Sequence, residues 1–109
     1  MRPRDRVLLA LNHCEPDYVP FDLGGTDVTG INRHVYRSLL PLLGLDVPEE
    51  IPILDVVQQI ASIDEKALLR LEAHCRAVFP NNPANWQLEV YEDNGNEVFR
   101  DEQWMLFEL

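Results

Sequence analysis

The chain has 109 residues, 46% of them hydrophobic and 26% charged, an ordinary composition for a folded domain with one modest core. Nineteen acidic residues against nine basic ones give a formal net charge of -10. Phosphate binding needs a clustered basic face, and the one dense basic stretch is Arg2, Arg4 and Arg6, so no nucleic-acid partner is expected. No apolar run approaches the roughly 20 residues that cross a bilayer, no signal-peptide core opens the chain, and Cys14 and Cys75 lack CxxC spacing. The expected setting is cytoplasmic, with no membrane and no disulfide.

Pro3 suits the first turn of a helix whose apolar face is Val7, Leu8 and Leu11 and which Asn12 stops. Pro16 and Pro20 then hold extended backbone, and residues 19–23 read as an interior strand that ends in Gly24 and Gly25. From Ile31 the spacing turns helical, with Ile31, Val35, Leu39, Leu42 and Leu43 on one side until Gly44. A proline-broken connector over residues 46–52 leads to Asp55, which can cap a short helical turn through Val56, Gln59 and Ile60. Ser62 and Glu65 have capping-box spacing ahead of a helix that turns Leu68, Leu71 and Cys75 to a core. Residues 76–79, closed by Pro80, read as a second strand, parallel to the first because helices lie between them.

Beyond residue 85, Trp86, Leu88 and Val90 alternate with Gln87, Glu89 and Tyr91, and Asn94-Gly95 signals a hairpin. A two-residue turn sets Val90 opposite Phe99, which is favourable, and Glu92 opposite Glu97, which is not; a longer loop is the alternative. Residues 103–109 are strongly apolar and need a surface to cover, either more of the same protein or a second copy through self-association. The chain thus reads as a single or partial domain: helix, strand, helices and second strand over 1–80, then hairpin and apolar segment over 81–109.

Loops after parallel strands are where α/β folds place their chemistry, which makes Asp22, Gly24, Gly25, Thr26, Asp27 and Thr29 the candidate substrate loop. Gly25 and Gly30 are spaced as in a phosphate-cradling loop, but Ile31 and Asn32 stand where lysine and a hydroxyl residue are required, and Asp27 would repel phosphate. The glycine spacing of a dinucleotide site is absent too. A tight turn needing positive φ explains the glycines equally well. Asp22 is costly to bury unless paired, so it either serves a substrate or organises the loop by accepting hydrogen bonds from loop amides or Thr26. His13 and Cys14 lack a second ligand pair, His34 reads as an ordinary helix residue, and His74 is expected near the carbonyl end of its helix. Trp86 and Trp104 read as core or interface residues of the hairpin.

Four pieces of sequence, Arg4-x-Arg6-Val-Leu-x-Ala-Leu-Asn-His13, Glu15-Pro-Asp-x-Val-Pro-Phe-Asp-Leu-Gly-Gly-Thr26, Thr29-Gly-Ile31 and Asp55-Val-Val-Gln-Gln59, resemble the N-terminal third of the uroporphyrinogen decarboxylase superfamily. The resemblance covers residues 1–80 and extends weakly through the hairpin. It implies an α/β fold in which this chain is the N-terminal fragment of a (β/α)8 TIM barrel with an added β-hairpin. It also implies an enzyme acting on a small-molecule substrate, either a cofactor-free decarboxylase of porphyrinogen acetates or a methyltransferase that works between a corrinoid and a thiol with zinc. The decarboxylases carry arginines in the first loop, and residues 24–30 hold no basic residue; they carry an aspartate after the second strand, where this chain has Pro80-Asn81-Asn82. The methyltransferase branch is therefore the better match. Its zinc ligands come from later strands, so no catalytic residue, zinc or corrinoid is assigned to this chain, which is expected to be inactive alone. The alternative, from another class, is a self-contained acidic interaction or oligomerisation module without catalysis.

Overall fold

The structure, a computed structural model, describes residues 1–81, 84, 85, 87–100 and 106–108. Among them the chain is mixed α/β, with three α-helices and two small antiparallel sheets. It divides into two compact units, Met1–Val78 and Phe79–Leu109. No helix among the described residues is long and apolar enough to cross a membrane.

In the first unit α1 spans Pro3–Leu11, with the proline in its first turn, where a missing N–H costs no helical bond, and Asn12 at its C-cap. The chain leaves it through His13 at φ 57°, with the Cys14 N–H donating to the Leu9 carbonyl (2.9 Å) and the His13 N–H to that of Ala10 (3.1 Å). This is a Schellman turn, in which the left-handed position usually belongs to glycine. The expected apolar face of α1 is not what the helix buries. Leu8 and Leu11 are exposed, while Arg6 retains 3% of its accessible surface.

Helix α2 runs over Arg33–Leu42; the Asn32 side chain caps it by accepting from the His34 N–H (2.9 Å), and Gly44 at φ 68° ends it. Leu42, Val35, Leu39, Leu43, Tyr36 and Leu40 follow one another around one broad side of it, and spacing alone does not say which part of that arc faces inward. The structure buries Tyr36 and Leu40, with Leu43 packed against them, and leaves Val35 and Leu42 exposed. Tyr36 decides between the parts of that arc, because its hydroxyl reaches the core edge and accepts the Asp64 N–H at 3.1 Å. The core of the unit, Tyr36, Leu40, Ala61 and Ala67, lies where α2 meets the following hairpin and helix.

That hairpin consists of β1 (Ile53–Asp55) and β2 (Ile60–Ala61), paired Ile53 to Ala61 and Asp55 to Ile60. Asp55 does cap a turn, accepting the Gln58 N–H at 2.8 Å, but Gln59 at φ 55° carries the chain back into a strand instead of on into the expected helical turn. The N-cap of α3 (Glu65–Arg70) is Asp64, which accepts the Lys66 N–H at 2.8 Å, in place of the expected Ser62. Glu65 is consequently free to pair with Arg76 through two 2.8 Å bonds. The helix stops before Cys75, since Glu72 at φ 54° closes a second Schellman turn with the Ala73 N–H on the Leu68 carbonyl (2.9 Å).

Residues 19–23 and 76–79, expected as a parallel strand pair, are extended or bent and form no ladder. Pro20 removes one donor, and the backbone bond found here is a single one from the His74 N–H to the Phe21 carbonyl (2.8 Å). Val19 and Val78 are 81% and 95% exposed.

The second unit is a three-stranded antiparallel meander of β3 (Val90–Asp93), β4 (Asn96–Arg100) and β5 (Leu106–Glu108). Asn94 and Gly95 take φ of 52° and 85°, the two left-handed positions of a type I′ turn. The short-turn register follows, with Val90 opposite Phe99 and Glu92 opposite Glu97. The apolar terminal segment finds a partner within the chain, because Leu106–Glu108 pairs with β4. Trp86 and residues 103–105 and 109 lie outside the described residues, as do the readings made of Trp86 and Trp104.

Candidate functional site

The candidate loop is organised by its own hydrogen bonds. Asp22 Oδ1 accepts the Gly25 N–H at 3.0 Å, and the Gly24 N–H donates to the Thr29 carbonyl at 2.9 Å, closing a ring across residues 24–29. Inside that ring the Thr26 N–H donates to Thr29 Oγ1 (3.0 Å) and the two threonine hydroxyls lie 3.1 Å apart, around a 3-10 turn at Asp27–Thr29. Of the two roles open to Asp22, the geometry shows the organising one, and a β-carbon at Gly25 would collide with its carboxylate. Gly24 has φ 73°, a conformation that favours glycine. Gly30 meets a different demand, since a β-carbon there would strike the side chain of Ile60.

Thr26, Asp27 and Val28 form the exposed tip of the loop. The structure brings the six candidate residues into one ring-closed segment, as sequence proximity already required. The Asp22 carboxylate also acts electrostatically on Cys75, a residue that the sequence did not group with the loop. Burial first, and the Asp22 carboxylate second, push the Cys75 thiol above its ordinary range, so it stays a neutral thiol at neutral pH.

Beside this loop lies a polar cluster centred on Arg6. Its guanidinium binds Asp17 in bidentate fashion, Nε to Oδ1 at 2.6 Å and Nη2 to Oδ2 at 2.7 Å, and its Cζ sits 3.7 Å from the centre of the Tyr18 ring. Nη1 lies 2.9 Å from His74 Nε2. A guanidinium only donates, so Nε2 is the acceptor in that contact, while Nδ1 faces both the Phe21 N–H at 3.0 Å and the Phe21 carbonyl at 3.2 Å. His74 therefore lies past the end of α3 and joins α1 to the residue preceding Asp22, in place of the expected contact with the carbonyl end of its helix. The Tyr18 ring packs edge-on against it, with centroids 5.5 Å apart.

These contacts explain why Arg6 is the buried residue of α1. They also hold the Asp17 carboxyl down to about 2, chiefly through the hydrogen bonds from Arg6. No local signal announced the cluster, because Arg6 and His74 are 68 positions apart.

Among the described residues no group of three or more His, Cys, Asp or Glu could hold a metal ion, and both cysteines are free. The histidines are committed or isolated: His13 forms the left-handed end of α1, His34 is exposed on α2, and both ring nitrogens of His74 face Arg6 or Phe21. Compared with known proteins, the chain matches no family model, no curated protein and no solved structure.

Proposed function

We propose that this chain forms the first βα unit and adjoining segments of a barrel enzyme of the uroporphyrinogen decarboxylase superfamily, nearer to the branch that moves methyl groups between a corrinoid and a thiol than to the porphyrinogen decarboxylases. One observation supports this above the rest: the first three of the four resembling pieces of sequence are hydrogen-bonded to one another. Arg6 of the first binds Asp17 of the second. The Gly24 N–H of the second donates to the Thr29 carbonyl of the third at 2.9 Å, and the Gln59 carbonyl of the fourth accepts the N–H of Arg33, two residues beyond the third, at 2.9 Å. Motif residues that serve one scaffold are expected to meet in this way, whereas a chance resemblance has no reason to.

Residues 19–23 and 76–79, extended or bent and partly exposed, fit strands whose sheet neighbours belong to the rest of a barrel, where parallel strands are covered on both faces. The loop over residues 22–29 would then line one wall of the pocket for a small-molecule substrate. With Asp22 and Asp27 and no cation in that loop, it disfavours a polycarboxylate. Zinc finds no fit among the described residues of this chain: Cys75 is held as a thiol, and the histidines are not grouped. The ligands for zinc, and the contacts for a corrinoid, belong on this reading to other strands, and no step of the chemistry is assigned to the residues present.

The expected behaviour of the purified 109-residue chain is no turnover in assays of methyl transfer from a corrinoid to a thiol or of porphyrinogen decarboxylation. The coding sequence beyond Leu109 is expected to continue into further βα units with a His-x-Cys and a later cysteine. Robust turnover by the chain alone, or a stop codon directly after Leu109, would contradict the proposal and favour the self-contained module.

A further inference from the structure

Helix α2 carries Arg33 and Arg37 four residues apart, and both border a cleft of about 480 Å³ whose walls also include Glu49, Glu50, Ile51 and Ile53. Residues at that spacing share one helix face. Arg37 is steadied by main chain, its Nη1 donating to the carbonyls of Pro48 and Glu49 at 3.2 and 3.1 Å. Arg33 is half-buried, and its Nε is closed off from solvent with no hydrogen-bond partner.

Neither arginine forms an ion pair among the described residues, where the salt bridges are made by Arg2, Arg6 and Arg76. That is unexpected in a chain with nineteen acidic residues, two of which border this same cleft. Two guanidinium groups on one helix face, neither of them paired with a carboxylate amid surplus acid, point to an anionic partner from outside the chain.

We infer that Arg33 and Arg37 form a binding site for an oxyanion carried on a small apolar body. The guanidinium groups take the anionic end, and Ile51 and Ile53 give the body an apolar wall. Glu49 and Glu50 repel a polyanion, which leaves one carboxylate or one phosphate monoester as the fitting chemistry. The cleft shares no lining residue with the loop over residues 22–29, so this site stands or falls independently of the barrel reading.

The test is a titration of the 109-residue chain, with its arginine side chains labelled for NMR, by sodium butyrate and separately by methyl phosphate. Ionic strength is held constant and chloride serves as the reference. The Nε–H signals of Arg33 and Arg37 are expected to move saturably with one of the probes. Saturation first by butyrate identifies a carboxylate ligand, and saturation first by methyl phosphate a phosphoryl ligand. Arg33→Gln is expected to weaken binding by about tenfold or more, and Arg33→Lys, which keeps the charge and loses the planar fork, by less. Arg70→Gln, on α3, should bind as the unaltered chain does. The inference is overturned if neither probe moves Arg33 beyond the chloride reference, or if folded Arg33→Gln binds normally. Should Arg33→Gln not fold, the titration of the unaltered chain decides by itself.

Discussion

The two units of this chain are specified at different ranges. The hairpin of the second unit is dictated by neighbours in sequence: Asn94 and Gly95 take the left-handed angles of a type I′ turn, and every pairing from Asp93–Asn96 out to Val90–Phe99 follows from that turn. Even the unfavourable juxtaposition of Glu92 with Glu97 is accepted to keep this register. The first unit is arranged by contacts between distant residues. Arg6 reaches Asp17 and His74, Tyr36 reaches Asp64, and His74 reaches Phe21. Turn chemistry can be read from two letters of sequence, whereas a buried guanidinium depends on partners that only the folded chain brings near.

The largest expected effect that separates the two units is Leu40→Ala. Leu40 is 3% exposed within the core of the first unit, and its truncation should cost about 3 kcal/mol there while leaving the amide signals of β3 and β4 in place. Loss of both units together in a thermal melt followed by NMR would show that the distinction is false. A smaller effect is expected in the second unit. Gly95→Ala meets no steric obstacle but must hold φ near 85°, so about 1 kcal/mol of hairpin stability should disappear, read from the same two sets of signals. Smaller again, and of opposite sign, is Glu72→Gly. It relieves a left-handed non-glycine residue at the end of α3 and should raise the midpoint of denaturant unfolding of the first unit, by about 0.5–1 kcal/mol.

At neutral pH the Asp17 carboxylate is fully ionised, so its titration sharpens the comparison only in acid. Its folded value lies near 2, below the ordinary 3.8, and the folded state therefore binds fewer protons than the unfolded chain between those values. The stability it contributes is complete above about pH 4 and is lost as pH falls toward 2. Asp17→Asn should flatten that part of the acid profile of the first unit without altering the hairpin's.

The same contrast in range explains what the sequence made legible. Pro3 and Asn12 bound α1 as expected, Gly44 ends α2, and Asn94-Gly95 places the hairpin, all by local backbone chemistry. Of the expected α2 face, Ile31 and Leu43 do pack on the core, whereas Val35 and Leu42 are exposed; they are as apolar as the buried Tyr36 and Leu40, and spacing does not separate the two sets. Ser62 and Glu65 match capping-box spacing, but spacing ignores which residue has extended backbone at the helix start, here Asp64 at φ -66° and ψ 143°. In the candidate loop the glycines and the organising role open to Asp22 were legible. The nearby polar cluster was not, because its members come from three separate stretches of chain.

Central to the structure of the first unit is the link from α1 through Arg6, His74 and Phe21 to the glycine loop. Hydrogen exchange at the Gly24 and Gly25 amides in Arg6→Met, compared with the unaltered chain, tests that link most directly. The expected result is faster exchange at both glycines and at His74, with the amides of β3 and β4 unchanged. Folded Arg6→Met with undiminished protection at Gly24 and Gly25 would contradict it, showing that the loop holds its shape without the cluster.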